Sequence, residues 1–330
     1  MYEGTTVAVT GSSGHLGTSV IPLLISSGYK VRLLKYEKDI SSSGPDIVIV
    51  SGSLTDRVCL DRLVKNCSVV IHCAARISLK SNNDSSVYDT NVNGTAAVLD
   101  ASLANGVKRF IHLSSIHAYR QDRSDPPLTE ESPYCSDSAA LYDRSKRDAE
   151  KLVLSTASDL MEVIVMNPTG IIGPDDHKPS FMGKAVIDIY KRRIPALINA
   201  GFDFCDVRDV AAAVVKAIEK GRNRNSYLLS GRWCSIGEIQ DIIASVRGDN
   251  RKVPVLPLWA GYVGLPFATL YASLLKEPPL YTRESLLTLV HGNRNISSAR
   301  ASAELDYKCR PIEETISDTV SWFRKNGFLK

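Results

Sequence analysis

The sequence predicts an α/β fold: a doubly wound parallel sheet with a smaller, mainly helical C-terminal lobe. Two observations lead there. Strand-like and helix-like segments alternate through the first two-thirds of the 330 residues. Short β-rich runs joined by helical crossovers make a parallel sheet covered on both faces. After Pro168 the rhythm breaks, and from Ser235 onward the pattern is mainly helical.

The elements follow in order. TTVAVT, rich in β-branched residues, reads as a strand. His15 to Ser26 reads as a helix and KVRLLK as the next strand. DIVIVSG, a helix over Asp56 to Lys65 and the strand SVVIHCAA come next. A helix over Thr90 to Asn105, the strand RFIHLSS, a helix over Ala139 to Ser155 and the strand MEVIVMNP complete the run. Gly173 to Pro195 holds five prolines and glycines and reads as loop plus helix. The helix Asp209 to Lys220 and the strand SYLLSG return to the sheet, and Pro311 to Asn326 is an amphipathic helix.

Composition bounds the function. With 44% hydrophobic and 23% charged residues, the chain has the make-up of an ordinary soluble globular protein. At this length roughly 75% of the unfolded surface can be buried. Forty basic against 36 acidic residues give +4 without a dense basic run, which argues against a nucleic-acid partner. The seven cysteines are scattered with no CxxC spacing, so neither a disulfide framework nor a zinc site is expected. No Asp/Glu/His cluster has metal spacing. MYEG leads straight into an apolar strand without room for a signal peptide, and a cytoplasmic setting is the expectation.

TGSSGHLG, Thr10 to Gly17, lies between the first strand and the first helix. Gly11 permits the tight turn, Gly14 lets backbone approach a pyrophosphate, and Gly17 allows close packing of the helix. The helix N-terminus then offers amide donors and a favourable dipole to phosphates. The segment therefore predicts a nicotinamide dinucleotide site, with Ser13, His15 and Leu16 in the same turn. Residues 1–168 with about 206–233 form the expected dinucleotide-binding domain; about 169–205 and 234–330 form a substrate-binding lobe.

The second strand's end decides the cofactor. An NAD enzyme usually has an acid there, about 20 residues on, for the ribose hydroxyls. Here the position eighteen after Gly17 is Lys35, followed by Tyr36. A cation suits the 2′-phosphate of NADP, so NADP(H) is favoured over NAD(H). Glu37 competes if the strand ends two residues later.

Tyr142-Asp-Arg-Ser-Lys146 falls on a predicted helix, which sets Tyr142 and Lys146 one turn apart on one face. A phenol with a pKa near ~10 is a poor acid–base group at neutral pH. A neighbouring ammonium favours the phenolate and is expected to lower that value. Tyr142 can then hand a proton to a carbonyl oxygen as hydride reaches carbon. Ser115, at a strand's C-terminal end, can polarise the same oxygen.

Together TGSSGHLG, VVIHCAA, NVNGT, FIHLSS, YDRSK, NPTGIIGP and DVRDVA resemble the extended short-chain dehydrogenase/reductase family over nearly the whole chain. The resemblance implies a catalytic triad of Ser115, Tyr142 and Lys146, with Tyr142 and Lys146 also at the nicotinamide ribose. It implies that Cys73, Ala74 and Ala75 pass over the cofactor and that Pro168 to Ile171 meet the carboxamide. It further implies a possible homodimer through the helix bearing Tyr142. One departure is Gly52-Ser53-Leu54, where the family usually has an acid for adenine; Ser53 and Leu54 remain the expected contacts.

Members of that family act on nucleotide sugars or on free ketones, aldehydes and sterols. The sugar enzymes tend to carry an Arg and an Asn in the run ending Gly-Pro; here Asn167 and Gly170 stand in those places. They also often place an arginine before an Asp-Phe pair, where this chain has Phe202. A diphosphate buried without those contacts is costly. Val253 to Leu275 carries no charge and includes Trp259, Tyr262, Phe267 and Tyr271, but prolines and glycines interrupt it, so no transmembrane helix is expected. It either packs on the main domain, borders an apolar pocket or touches a membrane surface. Within the family the likeness is to the dihydroflavonol-4-reductase-like group.

The expectation is an NADP-dependent reductase of a small-to-medium apolar ketone or aldehyde. A nucleotide-sugar epimerase or dehydratase and a dinucleotide sensor without turnover are the alternatives. Arg208 and Asp209 read as a structural helix-start pair, His177 as a solvated loop residue, Cys135 as incidental, and His72 and His112 as satisfied core histidines.

Overall fold

The structure, a computed structural model, describes residues 4–36, 44–77, 84–121, 127–249, 251–261, 263 and 292–329. The first half holds β1 (Thr6–Thr10), α1 (His15–Ser26), β2 (Lys30–Lys35), β3 (Ile47–Ser51), α2 (Arg57–Val64), β4 (Val69–His72), α3 (Ser85–Tyr88), α4 (Gly94–Ala104), β5 (Arg109–Leu113), α5 (Leu141–Thr156) and β6 (Glu162–Pro168). Next come β7 (Gly170–Ile172), α6 (Phe181–Tyr190), β8 (Leu197–Ile198), β9 (Gly201–Asp206), α7 (Val207–Lys220), β10 (Asn225–Leu229), β11 (Arg232–Ser235), α8 (Ile236–Arg247) and β12 (Val255–Leu256). Two later helices are α9 (Ala299–Leu305) and α10 (Ile312–Lys325).

Seven strands form one parallel sheet in the order β10-β6-β5-β4-β1-β2-β3. Successive side chains of a strand go to opposite faces. Val7 and Val9 of β1 therefore join the core under α1 and α7, whereas Ala8 joins the core under α2 and α4. Both faces are covered, and β4 and β5 are accordingly buried at every position. Each fully buried aliphatic side chain there contributes about 1.5–3 kcal/mol. The chain runs outward from β1 to β2 and β3, then returns to β4 on β1's other side. That reversal opens a crevice at the carboxyl ends of β1 and β4, where such sheets bind ligands.

The lobe adds strands that the helical pattern of the sequence does not announce. β9 pairs parallel with β7 and antiparallel with β11, and β8 pairs with β12. Around them α6, α8 and α10 close a third apolar core that includes Phe202, Phe204, Ile239 and Phe323. Of Val253 to Leu275, only residues 253–261 and 263 are described; Trp259 there is largely exposed. Among the described residues, no helix is long and apolar enough to cross a membrane.

The two strand histidines part company. His72 is bonded on both ring nitrogens, to Thr10 Oγ1 at 2.6 Å and Thr95 Oγ1 at 2.9 Å, and burial drives its pKa down to about 3. His112, stacked on it at 5.5 Å, has neither nitrogen bonded among the described residues, so it is not a satisfied core histidine. Burial keeps it neutral. Arg208 bonds Asp206 and Asp318, and Asp209 bonds Arg310, which ties the start of α7 to α10 and the segment before it. Exposed His177 packs edge-on against Trp322. Buried Cys135 lends its carbonyl to Arg147.

Candidate active site

A cavity of about 460 Å³ occupies the crevice and continues into the lobe. Its floor is the glycine turn. Gly11 has φ +69°, and a Cβ there would lie 2.6 Å from the backbone of Cys73 and Ala74. A Cβ on Gly17 would meet the Gly11 carbonyl at 2.2 Å. Gly17 thus lets α1 settle on the turn itself. α1 starts at His15 after Gly14, which has no side chain to cap it, and no acid lies in its first turn. Its amide donors are left for an anion. These features fit a dinucleotide pyrophosphate. Ser12 ties the turn to β2 through the Leu34 carbonyl at 2.8 Å.

Of the remaining cofactor candidates, Gly14, His15, Leu16, Cys73, Ala75, Pro168 and Ile171 line the cavity. Ser13 lies exposed on the turn, and the backbone of Ala74 abuts Gly11. Lys35 ends β2 beside the β3 end, its carbonyl bonded by Gly52 N, and Lys35, Tyr36 and Ser53 are not among the residues that line the cavity. Leu54 packs on Gly94. Glu37 lies outside the described residues.

Ser115, Tyr142 and Lys146 meet at the centre. Ser115 opens a short 3₁₀ turn, and its Oγ accepts a hydrogen bond from His117 N. That hydroxyl also bonds the Tyr142 phenol. Ser114 turns the other way, donating to Glu150. Lys146, 4% exposed, donates from Nζ to the Leu113 carbonyl at 2.9 Å. Burial lowers its pKa to about 8, while the Cys73 thiol and the Glu150 carboxylate act to raise it. The Tyr142 phenol departs from expectation: it is raised, not lowered. Burial outweighs the bond from Ser115, and the Asp143 charge adds to the rise. The phenol is therefore neutral at pH 7, the form that can donate a proton.

Three supporting groups escape sequence reasoning. Asn91 sits in a π turn over Asp89–Asn93, a distortion frequent at functional sites. Its side chain accepts from Arg76 N at 2.7 Å and donates to the Arg76 carbonyl and Ser145 Oγ, clamping the loop after β4 to α5. Glu150 lies fully buried one turn past Lys146. His117 sits over Tyr142, with Nδ1 3.0 Å from Asp143 Oδ1. Asn91 lies in NVNGT, Glu150 four residues beyond Lys146, and His117 two beyond Ser115, but spacing alone distinguishes none of them from surface polar residues.

The far wall is apolar. Gly170 fits beneath two rings: a Cβ there would lie 2.8 Å from Phe204 and 3.0 Å from Phe202. Ile194, Leu197, Ile236 and Ile239 continue this wall.

A profile of known families matches residues 7–230, the span that carries the sheet and this site. The chain belongs to the NAD dependent epimerase/dehydratase family. This family has the extended short-chain dehydrogenase/reductase fold, and it has both reductase or dehydrogenase and epimerase members. The chain is similar to sterol demethylase protein B of Methylococcus capsulatus, with 30% identity over 98% of this chain and all of that protein. It is also similar to a putative dihydroflavonol 4-reductase of Synechocystis, 29% identical over 98% of this chain and 95% of the relative. The crystal structure of gox2253 superposes with a TM-score of 0.84 at 28% identity, covering 99% of this chain and all of that one. Among the described residues, no group of His, Cys, Asp or Glu could hold a metal ion.

Proposed function

We propose that this member of the family is an NADP-dependent carbonyl reductase, reversible as an alcohol dehydrogenase, for an apolar ketone or aldehyde of small to medium size. The observation that carries the substrate class is the pair Phe202 and Phe204 pressed onto Gly170. In sugar-nucleotide relatives the resemblance sets an Asn where Gly170 stands and an Arg where Phe202 stands. Here a glycine covered by two rings and a phenylalanine occupy those places, and a diphosphate would lose its polar partners. The relatives named for sterols and dihydroflavonols fit the same reading.

The chemistry that a bound reduced nicotinamide dinucleotide supplies is hydride. The turn from Gly11 to Gly17 would hold its pyrophosphate, and Lys146 the nicotinamide ribose. Ser115 orients the carbonyl oxygen of the substrate and hydrogen-bonds the phenol. Tyr142, neutral because it is buried, gives its proton to that oxygen as the charge develops. Lys146 lies on the same helix and offers the positive charge that stabilises the phenolate left behind.

The test is thermal shift in the presence of NADP with aromatic ketones, steroids and UDP-sugars. Stabilisation by ketones or steroids is expected. The family's epimerase members make the UDP-sugars the competing arm, and stabilisation by a UDP-sugar alone would reverse the reading.

NADP rests on Lys35, at the end of β2 where the next residue, Tyr36, is 74% exposed. A charge-assisted bond to the 2′-phosphate contributes about 1.5–3 kcal/mol. Lys35→Asp is accordingly expected to cut the NADP to NAD ratio of kcat/KM by roughly 10- to 100-fold. An unmoved ratio would show that the phosphate is read elsewhere.

A further inference from the structure

Residues 173–180 run from the end of β7 to the start of α6. Their backbone is held in a form it does not prefer. Asp175 has φ +63°, a left-handed value that a residue with a side chain keeps only when its surroundings hold it there. Asp176 is 1% exposed, and its Oδ1 has no hydrogen-bond partner among the described residues. One hold on the segment comes from α1. His15 Nε2 lies 2.8 Å from the Pro174 carbonyl. A carbonyl oxygen only accepts, so the ring is the donor, which a neutral and a charged imidazole can both be. Thr18 Oγ1 reaches the Asp175 carbonyl at 3.3 Å but has a nearer acceptor in the His15 carbonyl at 2.9 Å. The His15 ring is the firmer tie.

At its other end the segment seats α6. Asp176 Oδ2 accepts from Ser180 N at 2.8 Å, and Ser180 Oγ caps α6 by accepting from Gly183 N at 3.0 Å. Gly183 rests on the same carboxylate: a Cβ there would lie 2.0 Å from Oδ2. From this seat α6 presents Phe181, Met182, Ala185, Val186 and Ile189 to the cavity. One chain of contacts therefore runs from the first residue of α1 to the wall opposite the glycine turn.

We infer that His15 is a positioning residue: through its ring, a dinucleotide on the glycine turn orders residues 173–180 and α6. The inference rests on the dinucleotide site, and on the reductase reading only in taking α6 as a wall for the substrate. The first amides of α1 have no side-chain cap. With those amides engaged by a pyrophosphate, the first turn of the helix is fixed, and His15 is its first residue. The ring then holds the Pro174 carbonyl from a fixed base, and the left-handed Asp175 and the seat at Asp176 follow. Such coupling is reciprocal, so a molecule that packs on α6 tightens the hold on the dinucleotide.

The test is hydrogen exchange on the full chain, alone and with saturating NADP+ or, separately, NAD+, with no carbonyl compound present. In the wild type the dinucleotide is expected to slow exchange over residues 11–18. It should also slow exchange over residues 176–190 by roughly 2- to 10-fold, the equivalent of one hydrogen bond. His15→Phe, which keeps a flat ring without a donor, and His15→Ala should lose the slowing over 176–190 and keep it over 11–18. Unchanged exchange in β5 shows that they are folded. His15→Gln, whose amide NH can reach a carbonyl, should recover part of the effect. The inference is overturned if the wild type is slowed over 11–18 but not over 176–190. It is overturned too if Phe and Ala variants exchange faster over 176–190 yet keep the full slowing by dinucleotide, which marks His15 as a brace of the fold. Loss of the slowing over 11–18 in those variants makes His15 a dinucleotide contact and no link. Wild type that is not slowed over 11–18 by either dinucleotide sinks the dinucleotide site itself. Since no ketone enters the measurement, a failure of the reductase reading leaves these results unchanged.

Discussion

Tyr142→Phe is expected to lower turnover by roughly 10²–10⁴-fold while NADP still binds. The change deletes one oxygen from a cavity whose glycine floor and apolar far wall it does not touch. Dinucleotide affinity, followed by fluorescence quenching without any substrate, should therefore move little. What is lost is the proton. Without the phenol, the oxygen of the substrate must take its proton from water, and Ser115 Oγ is left with the bond it accepts from His117 N. Burial holds the phenol above its ordinary pKa, so the acid form is fully populated at pH 7 and the reductive direction needs no prior titration of this group. Lys146, lowered to about 8, is the group that titrates first as pH rises. Its ammonium is present below that value and lost above it. Reductive kcat/KM should accordingly decline above about pH 8 in the wild type. Undiminished turnover in Tyr142→Phe would remove Tyr142 from the mechanism.

The sheet was legible because its signal is strong and local. Runs such as VVIH and RFIHL are mostly Val, Ile, Phe and Leu and are buried at every position, as strands of a parallel sheet covered on both faces are expected to be. The glycine turn was legible for a comparable reason: Gly11 at positive φ and Gly17 against a carbonyl admit no side chain. The lobe was less so. GFDFCD forms β9, yet its neighbours β7 and β11 are three and four residues long, and such pieces leave little pattern. The sign of the Tyr142 shift could not be read from YDRSK. Spacing puts an ammonium one turn away, but burial, which depends on the packed lobe, decides the outcome. Likewise SSIHAY gives no hint that His117 turns toward Asp143 on a different element.

Glu150 is the deepest of the residues that sequence reasoning passes over, and its removal should be the most damaging to the fold. In the stretch KRDAEK it looks like one more charge on a solvated helix face. It is instead fully buried and receives five hydrogen bonds. Ser114 and Asn167 donate to Oε2, each at 2.6 Å; Tyr119, Tyr134 and Ser226 donate to Oε1 at 3.1–3.3 Å. These donors come from β6, β10, the end of β5 and the segment before α5, so one carboxylate joins the sheet to the helix bearing Tyr142. Burial still holds its pKa above the usual range despite the donors. Glu150→Ala strands all five donors in a site closed to water. The expected loss of stability, read by urea denaturation, is about 3–5 kcal/mol, the scale for breaking a buried charged network. Glu150→Gln retains one acceptor oxygen and should lose less. It also provides a folded variant for a second readout. Glu150 acts to raise the pKa of Lys146, so without its charge that value falls further below about 8. The alkaline limb of the reductive pH profile should then shift to lower pH in Glu150→Gln. A variant with reduced stability and an unshifted limb would show that Glu150 braces the fold without tuning Lys146. A loss under about 1 kcal/mol in Glu150→Ala, the size of a single ordinary hydrogen bond, would show that the five donors find other partners.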